Sequence, residues 1–166
     1  MNIRRNNPGN IRKVAAIQWK GEVPGTVAPD VISFYTLEDG FRAMLLNLNT
    51  YIKKHGANTI DKIVRRWDPK KDSPGDITPE QYVKKVSDET GISADTVISA
   101  NDYNTLGKVA LAITHVEHSA RPADSVLQAA ITKAKGMLTG IIEIVKRHPV
   151  ETILIIALGY YLLTSD

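Results

Sequence analysis

The sequence contains no cysteine. That excludes disulfides, a thiol nucleophile and thiolate metal sites, and it leaves the redox compartment open. The first ten residues, MNIRRNNPGN, hold no apolar run, so a cleaved secretory signal is not expected. There is no internal repeat and no low-complexity tract. Neither charge sign dominates: 21 Lys+Arg against 18 Asp+Glu give a formal net charge of +3 and a pI near 9.1. This mild basicity suits an anionic partner such as a cell wall, lipid headgroups or nucleic acid without demanding one.

What is present is enough for a core. Apolar residues make up 43% of 166, so one packed domain with an appendage is expected and disorder is not. The composition changes once, near SARPADS at residues 119–125. Up to Arg121 there are 17 Lys+Arg and 14 Asp+Glu, and beyond it four of each in a more apolar tail. The expected organisation is a globular domain at 1–121, an amphipathic helical linker at 122–148 and a C-terminal membrane anchor at 149–166.

Within the first 35 residues, short apolar pieces (VAAIQW, VISFY) are broken by Gly and Pro, which predicts turns and two or three short strands. The period then becomes helical. A helix is expected from Thr36 as N-cap to Gly56, another over NTIDKIVRRW, and a third from Thr78 with Pro79 at N1, Gln81 closing a capping box and Gly91 past its end. SADTVISA reads as a short helix and DYNTLGKVALAITHVEH as a longer one. The fold class expected is α+β, mostly helical, with a small β element and a C-terminal apolar helical tail.

RNNPGNIR, at residues 5–12, is the most conformationally specified stretch. Pro8 presets φ for position i+1 and Gly9 suits the positive φ of i+2, so Asn7-Pro8-Gly9-Asn10 reads as a type II turn. Three amides (Asn6, Asn7, Asn10) exceed what a turn needs, and projected into a cleft they suit N-acetylated sugars. The alternative is an Asx-turn knot that satisfies itself.

On the last helix of the domain, Leu106, Val109, Ala110, Ile113, Val116 and Glu117 follow one apolar stripe. A carboxylate there is paired or doing chemistry. Helix-end carbonyls and partial burial both favour its protonated form, as a general acid requires. The competing reading is an ion pair with Arg121 or a lysine. No second carboxylate stands out, because Glu38 and Asp39 belong to a helix start. HVEH, with His115, Glu117 and His118, matches neither zinc motif spacing and has no third ligand, so neither a metal nor another cofactor is expected. Trp67 and Tyr35 are candidates for sugar contact, with core packing the alternative for Trp67. The basic pairs Lys53-Lys54, Arg65-Arg66, Lys70-Lys71 and Lys84-Lys85 are interleaved with acids and read as solvated surface, which makes nucleic acid a weak partner.

RNNPGNIR, the Trp19/Gly21 pair, SFYTLEDGFRAM and NTIDKIVRRWDP together resemble a phage and prophage family of lysozyme-like, lytic-transglycosylase-like proteins. The likeness spans about residues 4–121. Among such proteins the chain is most similar to a small membrane-associated structural protein of corticovirus-type tailless phages. The resemblance implies Glu117 as catalytic acid/base, with Asn6, Asn7, Asn10, Tyr35, Trp67 and His118 binding peptidoglycan. His118-Ser119 stand where the family has Asn-Gly, so His118 takes the place of a substrate-positioning Asn. A single Glu suits a transglycosylase, in which the substrate's N-acetyl group assists.

The tail, PVETILIIALGYYLLTSD, has a twelve-residue uncharged run at 152–163, shorter than the roughly 18 of a confident spanning helix. Tyr160 and Tyr161 suit an interfacial belt, and Lys146, Arg147 and His148 suit headgroups. Two functions are therefore expected as alternatives. One is a virion-borne, membrane-anchored peptidoglycan-degrading protein that aids phage entry. The other is a non-catalytic virion protein linking capsid and internal membrane, its lysozyme-like cleft vestigial. The partners are peptidoglycan, lipid and other capsid or membrane proteins of the virion.

Overall fold

A computed structural model describes residues 3–68 and 77–147. The expected tail anchor at 149–166 lies outside the described residues, as does the Lys70-Lys71 pair. A 3-10 turn at Arg4–Asn6 is followed by an irregular arm and five helices: α1 (Leu37–His55), α2 (Ile60–Trp67), α3 (Pro79–Thr90), α4 (Tyr103–His118) and α5 (Asp124–Arg147).

The helix ends form where the capping residues stand. Thr36, Thr59, Thr78 and Asp102 each accept a backbone N–H of the first turn, and at α3 Gln81 returns the bond to complete the capping box. Gly56 and Gly91 close α1 and α3 in the left-handed conformation. Segment 93–100, expected as a short helix, is an irregular strap instead. Its bonds run outward: Ile98 N–H donates to Asn58 O, and Asn49 Nδ2 donates to Ala100 O at 2.5 Å. Those long-range bonds replace the local ladder a helix needs.

The expected α+β class is corrected to all-helical. Among the described residues there is no sheet, only two isolated antiparallel bridges, Arg12–Val31 and Glu22–Phe34. The cause is visible in segment 31–35. Four of its five carbonyls are taken by side chains, Val31 O by Arg5, Ile32 O by Asn7, and Phe34 O and Tyr35 O by Asn6, while Ser33 O accepts the Val23 N–H. Strand-like backbone is present, but amides and a guanidinium occupy the ladder positions. Pro24, Gly25 and Pro29 interrupt the flanking pieces. Among the described residues no helix is long and apolar enough to cross a membrane, and the expected apolar tail lies outside them.

The core lies between α1, α4 and α5. Phe41, Leu45 and Leu48 of α1 meet Leu106, Val109 and Ile113 of α4, all 0% exposed. Each such side chain contributes about 1.5–3 kcal/mol of hydrophobic stabilisation. Leu127, Ala130, Ile131 and Ala134 of α5 join the same core. Gly107 lets α5 approach: a Cβ there would stand 3.1 Å from Ile131 Cδ1. Arg42 is buried on α1, paired with Asp39 at 3.7 Å and donating to the Lys20 carbonyl.

Candidate functional site

The turn at residues 7–10 meets the C-terminal end of α4. Asn10 Nδ2 donates to Glu117 Oε2 at 2.8 Å, across 107 residues of chain. Tyr82 of α3 donates its hydroxyl to Glu117 Oε1, also at 2.8 Å. His118 Nε2 lies 3.1 Å from Asn7 O. The half-buried Glu117 thus has a neutral donor on each oxygen. It does not pair with Arg121, which reaches Glu89 Oε1 at 2.5 Å, while His115 Nδ1 takes the other Glu89 oxygen at 2.8 Å.

The turn itself departs from the type II expectation. The Asn10 N–H to Asn7 O bond forms at 3.3 Å, but Gly9 lies outside the left-handed region. Around this turn the residues with positive φ are Arg5, Asn6 and Asn10. Glycine is needed at position 9 for space, because a Cβ would lie 2.2 Å from Trp67 Cζ2. Trp67, at the end of α2, covers the turn and meets the Tyr51 ring edge-on, with centroids 6.0 Å apart.

The other amides face inward. Asn7 is 0% exposed: its Nδ2 donates to Ile11 O and Ile32 O, and its Oδ1 accepts the Ile11 N–H, all at 2.9 Å. Asn6 Nδ2 donates to Phe34 O and Tyr35 O at 3.0 and 3.2 Å. Tyr35 is 64% exposed and points away from the core. The structure therefore brings Glu117, Asn10, Asn7 and His118 together. It sets Trp67 beside them as a packing residue and leaves Tyr35 on the outer surface. A depression of about 410 Å³ lies elsewhere, lined by Asp61, Arg65, Glu80, Lys84 and Ser87, on the side of α3 away from Tyr82. The basic pairs are largely engaged: Arg65 with Asp61 and Glu80, Arg66 over the Tyr51 ring, Lys84 with Asp88.

Tyr82 is the member of this cluster that the sequence did not mark. With Val83 and Val86 it reads as core, and only the need of a buried phenol for a partner hints at more. Burial first, then the negative charge of Glu117 and its hydrogen bond, push the Tyr82 phenol far above its ordinary 10.0. Burial also leads in raising Tyr51 and Tyr103. In the unfolded chain these phenols ionise near 10, while in the native state they stay protonated. Above that pH the unfolded chain binds fewer protons than the folded one. Stability is therefore complete below pH 10 and falls as pH rises past it. Alkaline unfolding should show tyrosinate absorbance and helical dichroism changing together. Tyr82→Phe should reduce the slope of stability against pH by about one proton.

No protein-family model matches the chain. It is similar to Protein P5 of Pseudoalteromonas phage PM2, with 32% identity over 103 residues. The chain is a homologue of a phage protein. The match covers 61% of this chain and 62% of Protein P5, so the chain spans about three-fifths of that relative's length. The lysozyme-like likeness rests on the motifs quoted above alone.

Proposed function

We propose that the chain is a non-catalytic structural component of a phage particle, its partners being other components of that particle. The observation that carries this reading is the fate of the polar groups. The side-chain amides of Asn6 and Asn7 are bonded within the arm, and that of Asn10 and both Glu117 oxygens fasten the arm to α3 and α4. A carboxylate flanked by two donors, with a fully buried asparagine behind it, serves as a clasp. The relationship to a phage protein supports the particle setting.

A second reading keeps one observation in its favour. Glu117 is only half-buried and stands beside Asn10 and His118, the arrangement a single-carboxylate lytic transglycosylase would use. The full chain and its Glu117→Gln variant, assayed on purified peptidoglycan and by thermal melting, separate the two. The structural reading expects no clearing from either protein. It expects a melting temperature several degrees lower in Glu117→Gln, because a neutral amide replaces the carboxylate that accepts from both Asn10 and Tyr82, at a cost of about 1–2 kcal/mol. Clearing by the parent, lost in a variant of unchanged melting temperature, overturns it in favour of the enzyme.

A further inference from the structure

Five cations (Arg4, Arg5, Arg12, Lys13, Lys20) and two anions (Glu22, Asp30) lie in residues 3–35. Five minus two equals the +3 of the whole chain, so the net charge is concentrated in the arm. Glu22 is buried and bound to Lys13 at 2.8 Å, and that pair leaves Arg4, Arg5, Arg12 and Lys20 against Asp30. Arg5 and Arg12 are exposed and have no carboxylate partner among the described residues. Each rests on a backbone carbonyl instead: Arg5 Nη1 on Val31 O at 2.6 Å, Arg12 Nη1 on Pro29 O at 3.3 Å.

Those two carbonyls are two residues apart, hence within about 7 Å of each other. Each guanidinium has five N–H donors, so one anchoring bond leaves most of the fork for an anion. Along the same segment Ile32 and Phe34 are buried, and Tyr35 alternates outward at 64% exposure. Asn6, the neighbour of Arg5, bonds to the Tyr35 carbonyl. An unpartnered aromatic ring therefore shares the arm surface with two anchored, unneutralised guanidinium groups.

We propose that the outer face of the arm binds a single-stranded nucleic acid, with Arg5 and Arg12 on successive backbone phosphates and Tyr35 stacked on a base. Phosphates along a strand repeat on the scale of the two anchoring points, and the ring can stack on an open base, which a duplex does not offer. The inference stands apart from the scaffold reading of the Glu117 cluster.

Fluorescence anisotropy of the full chain with labelled oligodeoxythymidine, across a salt series, tests it. The parent should bind, with affinity falling as salt rises. Arg5→Ala with Arg12→Ala should lower the log–log salt slope by about 1–2, and the paired Lys substitutions should restore it. Tyr35→Ala should weaken binding about tenfold at unchanged slope. Lys53→Ala and Lys85→Ala should change neither. Thermal melts accompany each variant, and if the double alanine protein is unfolded, the double lysine protein and Tyr35→Ala carry the test. Absence of oligonucleotide binding by the parent at low salt overturns the proposal. So does an unchanged slope in the folded double alanine variant, an unaffected Tyr35→Ala, or binding to phosphatidylglycerol vesicles or duplex with none to the single strand.

Discussion

Gly40→Ala should destabilise the protein by about 3 kcal/mol or more, read as a lower urea midpoint at unchanged slope. On helix propensity alone the sign is opposite, since alanine in a helix gains about 1 kcal/mol over glycine. The local context reverses it. A Cβ on Gly40 would stand 2.0 Å from the backbone oxygen of Asn6 and 2.8 Å from Pro8 Cδ. Neither neighbour is the free end of a flexible side chain. The Asn6 carbonyl belongs to a turn whose φ is already positive, and Pro8 is locked by its ring. To admit the methyl group, the arm must lift off α1, and the clasp at Asn10 and Glu117 must open with it. A stabilised Gly40→Ala protein would show that the arm does not seat on α1 this way.

The helices were legible in the sequence because their signals are local. Thr36, Thr78 with Gln81, and Asp102 lie within three residues of the backbone groups they cap, and Gly56 and Gly91 close α1 and α3. The strap at 93–100 and the arm depart from their local signals for one shared reason: their backbone bonds reach groups far along the chain. Alternating VISFY does place Ile32 and Phe34 inward and Tyr35 outward. What it cannot reveal is that Arg5, Asn6 and Asn7 fill the places of a neighbouring strand. Backbone bonds to 11 and to 21–23 do form, but only as isolated bridges, because polar side chains take the positions between them.

The site was partly legible for the same reason. Glu117 stood out as a charge on an apolar stripe, and the excess of asparagines in NNPGN marked a tightly specified turn. That Asn10 reaches Glu117 is a contact across 107 residues, which no spacing rule supplies. The role of Tyr82 was hidden because a tyrosine among valines on a helix face reads as packing. Gly9 suggests a backbone angle in the sequence, but its reason is the Trp67 ring above it. In each case a tertiary neighbour, not a local preference, decides the role of the residue.

Asn7→Ala should cost about 3–5 kcal/mol, the largest effect expected of any amide in the arm. The residue is fully buried and satisfies three backbone groups at once, the Ile11 N–H and the Ile11 and Ile32 carbonyls. Ile11 O keeps the Ile32 N–H, so the Ile11 N–H and the Ile32 carbonyl are the groups left without a partner; each costs about 1–3 kcal/mol, and the emptied volume adds to them. Asn7→Asp separates this account from simple loss of volume. Its carboxylate would face two carbonyl oxygens, which disfavours the anion, so the aspartate is held protonated more than an ordinary one. Such a group loses stability as pH rises, because the native state must either keep a proton that the unfolded chain releases or bury a charge. Asn7→Asp should accordingly regain stability as pH falls through the carboxylate range, whereas Asn7→Ala should not. Native-state hydrogen exchange locates the damage. The Ile32 and Phe34 amides, which donate to Ile11 O and Arg5 O, should exchange faster well before those of α1 and α4. If the two variants behave alike across pH, or if exchange in the helices rises first, Asn7 only fills space, and the arm is held by its contacts with Gly40 and Trp67.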